Sequence, residues 1–459
     1  MVFSSLTFLC CALPLCLGVY FLLPRAARNA WLLGFSLLFY AWGEPLYVLL
    51  MLASITFNWL CGLGLGRAGT PGSRRALKIV AIAGNLGALF AFKYLGFAVE
   101  LLNALTGLSL AVPEVKLPLG ISFYTFQALS YTLDVCRGTV PVQKKWHSLA
   151  LYICFFPQLI AGPILRCDAV LPQLTQRRTS LEGFWHGLCR FVAGLSKKVL
   201  IANTVGALAD EAFAASGLTA PCRWLGAAAY ALQILFDFSG YSDMAIGLGR
   251  MFGFSYPENF DAPYTAVTLR DFWRRWHISL STWFRDYVYI PLGGSRCGRR
   301  RHILNLLTVF ALTGLWHGAG LNFLVWGLWH GALISLGICL RVRPSRSAGV
   351  RALQTFVTLI FVLLGWVLFR AESLNGALIY LKGMLLGEGS RLLYTLTPRV
   401  WLALCAGGLL ASPMPGILRR RLPQKAGEVL RLAGVPALLF LCLLNLASGT
   451  YNPFIYFRF

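Results

Sequence analysis

Apolar runs long enough, or nearly so, to cross a bilayer recur from one end of this chain to the other. Residues 6–23, 47–65, 79–98, 323–340, 355–368 and 432–446 are almost free of charge, and a hydrocarbon core roughly 30 Å thick needs about 20 such residues in helix. Their spread leaves no stretch for a sizeable soluble domain. Composition agrees: 57% of residues are hydrophobic, only 13% are charged, and the mean hydropathy is +0.66. Inside lipid the backbone must satisfy its own hydrogen bonds, which helices do within one segment. The expected fold is therefore all-α, a polytopic integral membrane protein forming one membrane-embedded domain over 1–459, with about eleven transmembrane helices plus interfacial and re-entrant ones.

A formal net charge of +24 could suggest a nucleic-acid partner, but the basic residues sit in short loops between apolar runs. That pattern is positive-inside topology, with basic loops against the anionic inner leaflet. Arg25 with Arg28, then Arg67, Arg74, Arg75 and Lys78, then Lys144 with Lys145 are mutually consistent as cytoplasmic, since two apolar passes separate each neighbouring pair of loops. The N-terminus is then outside. It carries no charged region before its first run, so a retained helix is expected rather than a cleaved signal. None of the thirteen cysteines forms a CxxC pair; they are read as small buried hydrophobes, with no disulfide or metal framework.

Two early passages are too polar or too broken for plain spans. One is LGISFYTFQALSYTLD at 119–134; the other is FFPQLIAGPILR at 155–166, interrupted by two prolines and Gly162. Irregular backbone survives at membrane depth only where protein or a wet cavity satisfies it, so both are expected to line an internal cavity, although an interfacial loop explains the second equally well. Lys197 and Lys198 read as solvated or lipid-facing inner markers. Residues 224–249 form a pass ending FDFSGYSDMAIGLG. Asp237 and Asp243 are costly there unless paired or wet, and are expected on a cavity wall, the alternative being a helix-end pair at the interface.

From Leu269 the pattern becomes amphipathic. At 100° per residue Phe272, Trp273, Trp276, Leu280, Trp283, Phe284 and Tyr287 fall on one side, with Asp271, Arg274, Arg275, Arg285 and Asp286 opposite. Thr268 and Asp271 suggest a capping box. One helix lying in the cytoplasmic interface is expected, with His277 at the edge of its apolar side.

GLWHG occurs twice, at 314–318 and 327–331. From Ile303, after the basic turn GGSRCGRRRH, His317 lies about 21 Å along a helix; His330 lies about 16 Å from Arg341 by the same rise. Depth does not choose between them. Context favours His317, placed where Gly318-Ala319-Gly320 breaks the helix and Asn322 offers a polar group. A buried imidazole stays neutral near pH 7 and suits general-base work, such as activating a hydroxyl that attacks a thioester. No GxSxG, phosphate loop, HExxH or cysteine pair competes. A solute transporter or channel using the histidines as a proton relay is the alternative class.

Residues 155–166, 236–254, the run PENFDAPYTAVTLRDFWRRWHISLSTWFRDYVYIPLGG at 257–294 and GLWHGAGLNFLVWGLWHG from Gly314 resemble the membrane-bound O-acyltransferase superfamily, and within it the alginate-type branch. The D-alanyl transferases of teichoic acid are similar around the same histidines. The resemblance implies tilted helices around a funnel open to the cytoplasm, with His317 catalytic and His277 assisting in the tunnel. It implies an acyl donor, acetyl-CoA, with no bound cofactor, and an extracytoplasmic serine-hydrolase-like acetyltransferase partner that completes O-acetylation of a cell-surface or exported polysaccharide. The setting implied is the inner membrane, with no nucleic acid. Candidate substrate-binding or tunnel residues are Trp276, Trp316, Asn322, Asp237, Asp243 and Tyr241; no metal ligands are expected.

Overall fold

The computed structural model describes residues 2–387, 389–449 and 451–455, and the apolar runs within them are helical. The elements used below are α1 (Tyr47–Arg67), α2 (Pro71–Lys93), α3 (Ile121–Arg137), α4 (Leu181–Ala214), α5 (Ala220–Met251), α6 (Leu269–Arg275), α7 (Ile278–Phe284), α8 (Arg299–His317), α9 (Leu321–Cys339), α10 (Ala348–Arg370) and α11 (Gln424–Ser448). Among the described residues six helices, α1, α2, α4, α9, α10 and α11, are long and apolar enough to cross a membrane. Shorter apolar helices at Phe8–Leu22, Leu95–Thr106, Leu374–Leu386 and Pro398–Ala411 accompany them. The run at 79–98 is thus divided, α2 ending at Lys93 and a new helix starting at Leu95. No β-strand occurs among the described residues; an isolated bridge joins Leu218 and Arg391.

Backbone contacts divide the chain into two units, 1–191 with 244–257, and 192–243 with 258–459. In the first, α1, α2 and α3 are joined by polar side chains in their apolar faces. Asn58 and Asn85 exchange amide bonds of 3.0 and 2.9 Å, and Thr132 donates to Asn58 Oδ1 at 2.9 Å. All three are buried, and such interhelical bonds are the usual glue where lipid gives helices no hydrophobic reason to associate. The polar passage 119–134 therefore serves helix association: α3 is buried continuously from Ile121 to Val135. The segment 155–166 is broken as expected, with a single helical turn at Phe156–Leu159 and irregular backbone after it. Tyr152 donates to the Leu165 carbonyl at 2.8 Å and Gln158 to that of Tyr152, so protein side chains satisfy groups the break has freed.

In the second unit, α8 and α9 form a tight hairpin. A Cβ on Gly314 would meet the Phe323 carbonyl, one on Gly327 would meet the Phe310 carbonyl, and either would come within 3.2–3.4 Å of the other glycine's backbone. The duplicated pentapeptide thus supplies a matched pair of small residues that lets two backbones touch, a contact driven by dispersion rather than by water. Similarly, α4 and α5 meet where a Cβ on Gly240 would lie 2.7 Å from the Gly194 carbonyl, and just beyond it α4 widens into a π-helical turn at Lys197–Ala202.

Replacing Gly327 by valine should lower the thermal unfolding midpoint of the purified protein, by about 1–3 kcal/mol of overpacking or more. Gly337→Ala, at a site with nothing within 4 Å, should leave it unmoved; an unchanged midpoint in Gly327→Val would mean that the hairpin does not depend on this contact.

Candidate active site

His317 is the last residue of α8, and the extended backbone of Gly318 and Gly320 turns the chain into α9. The expected break is present, and it leaves the imidazole buried, edge-on to Trp326 at 5.1 Å and 89° and to Phe369 at 5.1 Å and 78°. His317 lines a cavity of about 10 Å³ whose other walls are Ile234, Phe238, Trp276, Trp326, Trp366, Phe369 and Ile455. That is room for roughly one water, or for a group of similar size. Asn322 takes a different part from the one expected. Its Nδ2 donates to the carbonyls of Ala371 at 2.9 Å and Leu368 at 3.4 Å, satisfying groups that the end of α10 leaves open and so holding Phe369 against His317.

The segment from Leu269 differs from the single helix expected. It is two short helices, α6 and α7, separated at His277, whose backbone is left-handed (φ 45°, ψ 56°), a conformation costing an L-residue about 1–2 kcal/mol. The cause lies outside the segment. The Asn259 carbonyl accepts the Ile278 N–H at 2.9 Å, and Asp261 N–H donates to the Arg275 carbonyl at 2.9 Å, diverting groups that a continuous helix would pair internally. The aromatic face survives: Phe272, Trp273, Trp276, Trp283 and Phe284 are all buried. Thr268 caps α6 by accepting from Asp271 N–H at 3.2 Å, but the Asp271 carboxylate returns to Val267 N–H, so the box is only half made.

Break notwithstanding, His277 is 1% exposed, edge-on to Phe238 at 4.6 Å, with its Nδ1 3.3 Å from Asn259 Oδ1. It lies outside the six candidate spans, and burial pushes its pKa down to about 3, so the ring is neutral at physiological pH. It does not line the cavity; Trp316 stands between the two histidines, 6.2 Å from His277 and 4.9 Å from His317. Trp276 lines the cavity directly.

Asp237 and Asp243 are buried on α5 but stand off the cavity, each paired with a lysine of the π-helical turn. Lys198 Nζ lies 2.7 Å from Asp237 Oδ1, and Lys197 Nζ 2.6 Å from Asp243 Oδ2. Lys198 is 3% exposed, which corrects its reading as a solvated marker: the ion pair and the Pro453 carbonyl, to which it also donates, compensate the charge. Asp237 Oδ2 accepts the Ile455 N–H at 2.8 Å, and Tyr241 packs on Phe454 at 5.0 Å. Asp237 and Tyr241, with Lys198, thus fasten residues 453–455, which deliver Ile455 to the cavity, while Asp243 ties α5 to Lys197. Asn259 and Ile455 were not singled out by sequence reasoning. His330, mid-way along α9, is fully buried and edge-on to Trp273 and Trp326 at 5.1 and 5.4 Å, and neither ring nitrogen has a hydrogen-bond partner among the described residues. Among the described residues no three His, Cys, Asp or Glu side chains converge as a metal set.

The sequence profile of membrane-bound O-acyltransferases matches residues 115–376, which include both histidines of the site. The chain belongs to that family. This acyltransferase is 45% identical over 383 residues to the probable alginate O-acetylase of Azotobacter vinelandii, a match covering 82% of the chain and 76% of its relative. It is 40% identical, over the full length of both, to the probable alginate O-acetylase of Pseudomonas putida. Identity to the peptidoglycan O-acetyltransferase of Helicobacter pylori is 36%, covering 84% of the chain and 80% of that protein.

Asp237→Ala should destabilise the acyltransferase by roughly 3–5 kcal/mol, because it strands a buried ammonium, whereas Asp237→Leu combined with Lys198→Met should recover most of the loss. Thermal unfolding in detergent reads both; equal midpoints for Asp237→Ala and wild type would remove the pair as a structural clamp.

Proposed function

We propose that this acyltransferase takes an acetyl group from acetyl-CoA at the cytoplasmic face and passes it across the membrane for O-acetylation of a cell-surface or exported polysaccharide. The observation that carries this reading is His317 on the wall of a small, aromatic cavity at a helix break. In it the imidazole acts as general base. It takes the proton of an acceptor hydroxyl, the oxygen bonds to the thioester carbonyl carbon, the C–S bond breaks, and the thiolate receives the proton back from the imidazolium. Low dielectric around the ring strengthens each of these charge interactions. His277 orients donor or acceptor, with Trp276 and Trp316 as tunnel walls. Relatives named as O-acetylases of alginate and peptidoglycan favour acetate over a long acyl chain.

About eleven spans around a funnel open to the cytoplasm, in the inner membrane, complete the reading, as does a serine-hydrolase-like extracytoplasmic partner that receives the acetyl group and finishes the transfer. D-alanyl transfer is the second reading. It is favoured by 30% identity over 222 residues to the teichoic acid D-alanyltransferase of Bacillus subtilis, a match covering 45% of the chain and 55% of that protein.

Ester-linked acetate on surface polysaccharide, compared at equal membrane levels, tests the assignment. His317→Ala should lose the ~10²–10⁴-fold that a positioned base supplies, and His330→Phe should keep most activity because an aromatic ring of similar bulk replaces it. Full acetylation in His317→Ala would sink the mechanism; loss in the His330 variant alone would move the base to the second copy. Ester-linked D-alanine in place of acetate would select the second reading.

A further inference from the structure

Asn259 is fully buried in the loop before α6, and its side chain meets His277, Ser279 and Ser242. Its carbonyl accepts the Ile278 N–H at 2.9 Å. Its side-chain oxygen accepts the Ser279 N–H at 3.1 Å and the Ser279 hydroxyl at 2.9 Å. A backbone N–H only donates, so the amide atom facing it is the oxygen. The amide nitrogen then lies opposite, where it donates to Ser242 Oγ at 3.1 Å. Every bond agrees on one orientation of the amide.

That orientation decides the state of the histidine. Nδ1 of His277 lies 3.3 Å from the same Asn259 oxygen, an acceptor, and 3.5 Å from Ser279 Oγ, whose hydroxyl hydrogen is directed at that oxygen over the shorter 2.9 Å; Nδ1 therefore carries the proton. A neutral imidazole has one N–H, so Nε2 keeps its lone pair. Nε2 is buried and no group among the described residues bonds it. The left-handed backbone of His277 aims the ring, and the Asn259 bonds to Ile278 and Ser279 hold that backbone in place. The rings against it, Phe238, Phe260 and Trp316, carry no charge, nor do Asn259 and Ser279.

We propose that Asn259 is the positioning residue of the second histidine: its side-chain oxygen keeps the proton on Nδ1, so that Nε2 of His277 is left bare, as the hydrogen-bond acceptor through which this ring assists. This rests on the reading that His277 assists the transfer. It assigns the two nitrogens distinct tasks, one anchoring the ring and one left free to accept, and it makes an amide rather than a carboxylate the anchor. An amide holds the tautomer without favouring the imidazolium; a carboxylate would do both.

The full-length protein tests this in two ways. With ¹⁵N-histidine labelling, only six histidines are present, and His277 is assigned by the signal lost in His277→Gln. Wild type should show Nδ1 protonated and Nε2 bare near neutral pH; the opposite tautomer overturns the proposal. Acetyl transfer is then measured against pH at equal amounts of folded protein. Asn259→Ala should lower kcat, by at most the ~10²–10⁴-fold of a positioned acid–base group, with KM little changed. Asn259→Asp keeps the acceptor and adds charge, so its activity should approach wild type at high pH and fall as pH drops through a raised His277 pKa. A pH profile in Asn259→Asp parallel to wild type would reduce Asn259 to a helix brace and overturn the proposal while leaving His277 in the mechanism. Full activity in His277→Ala would overturn both.

Discussion

Backbone contact between Gly314 and Gly327 is what the arrangement around His317 depends on. In lipid, apolar side chains gain little by leaving one apolar environment for another, so helices stay together where their backbones approach closely enough for many dispersion contacts. The two glycines stand three residues before the two histidines, and their contact fixes the angle at which α8 delivers His317 and α9 delivers Trp326. Asn322, just after the turn, fastens the end of α10 and with it Phe369. One side of the cavity is therefore assembled by a hairpin and a single amide.

The opposite side is held by charge. Lys198 and Asp237 are buried together and would be a liability if either stood alone. Their remaining hydrogen-bonding capacity goes to the backbone of Pro453 and Ile455, while Asp210, paired with Arg370, receives the Tyr451 hydroxyl. Buried carboxylates in a membrane protein invite a mechanistic reading, yet here they secure a stretch of chain whose one contribution to the cavity is the aliphatic side chain of Ile455. Polar residues do the positioning, and apolar ones meet the reacting group.

Much of this was legible in the residues. Hydropathy marked the spans, because an apolar run of bilayer length has few other uses, and the glycines after His317 marked the break of α8. The histidine pair needed resemblance, since depth along a helix places His317 and His330 alike. What periodicity could not reveal was the division of the amphipathic segment at His277. That break is imposed by Asn259, eighteen residues earlier, and helical periodicity is blind to partners outside the window. Lys198 was misread for a similar reason: a lysine beside another lysine looks solvated until the aspartate on the next helix is known.

The cavity walls come from residues 234, 238, 276, 317, 326, 366, 369 and 455, so the site is written across half the chain and finished by residue 455. During synthesis, the hairpin and its histidine enter the membrane well before the segment that supplies the last wall has been translated. A growing chain therefore carries its imidazole in a pocket that still lacks its Ile455 wall, and the geometry that would confine a reacting group arises only once residues 453–455 are in place.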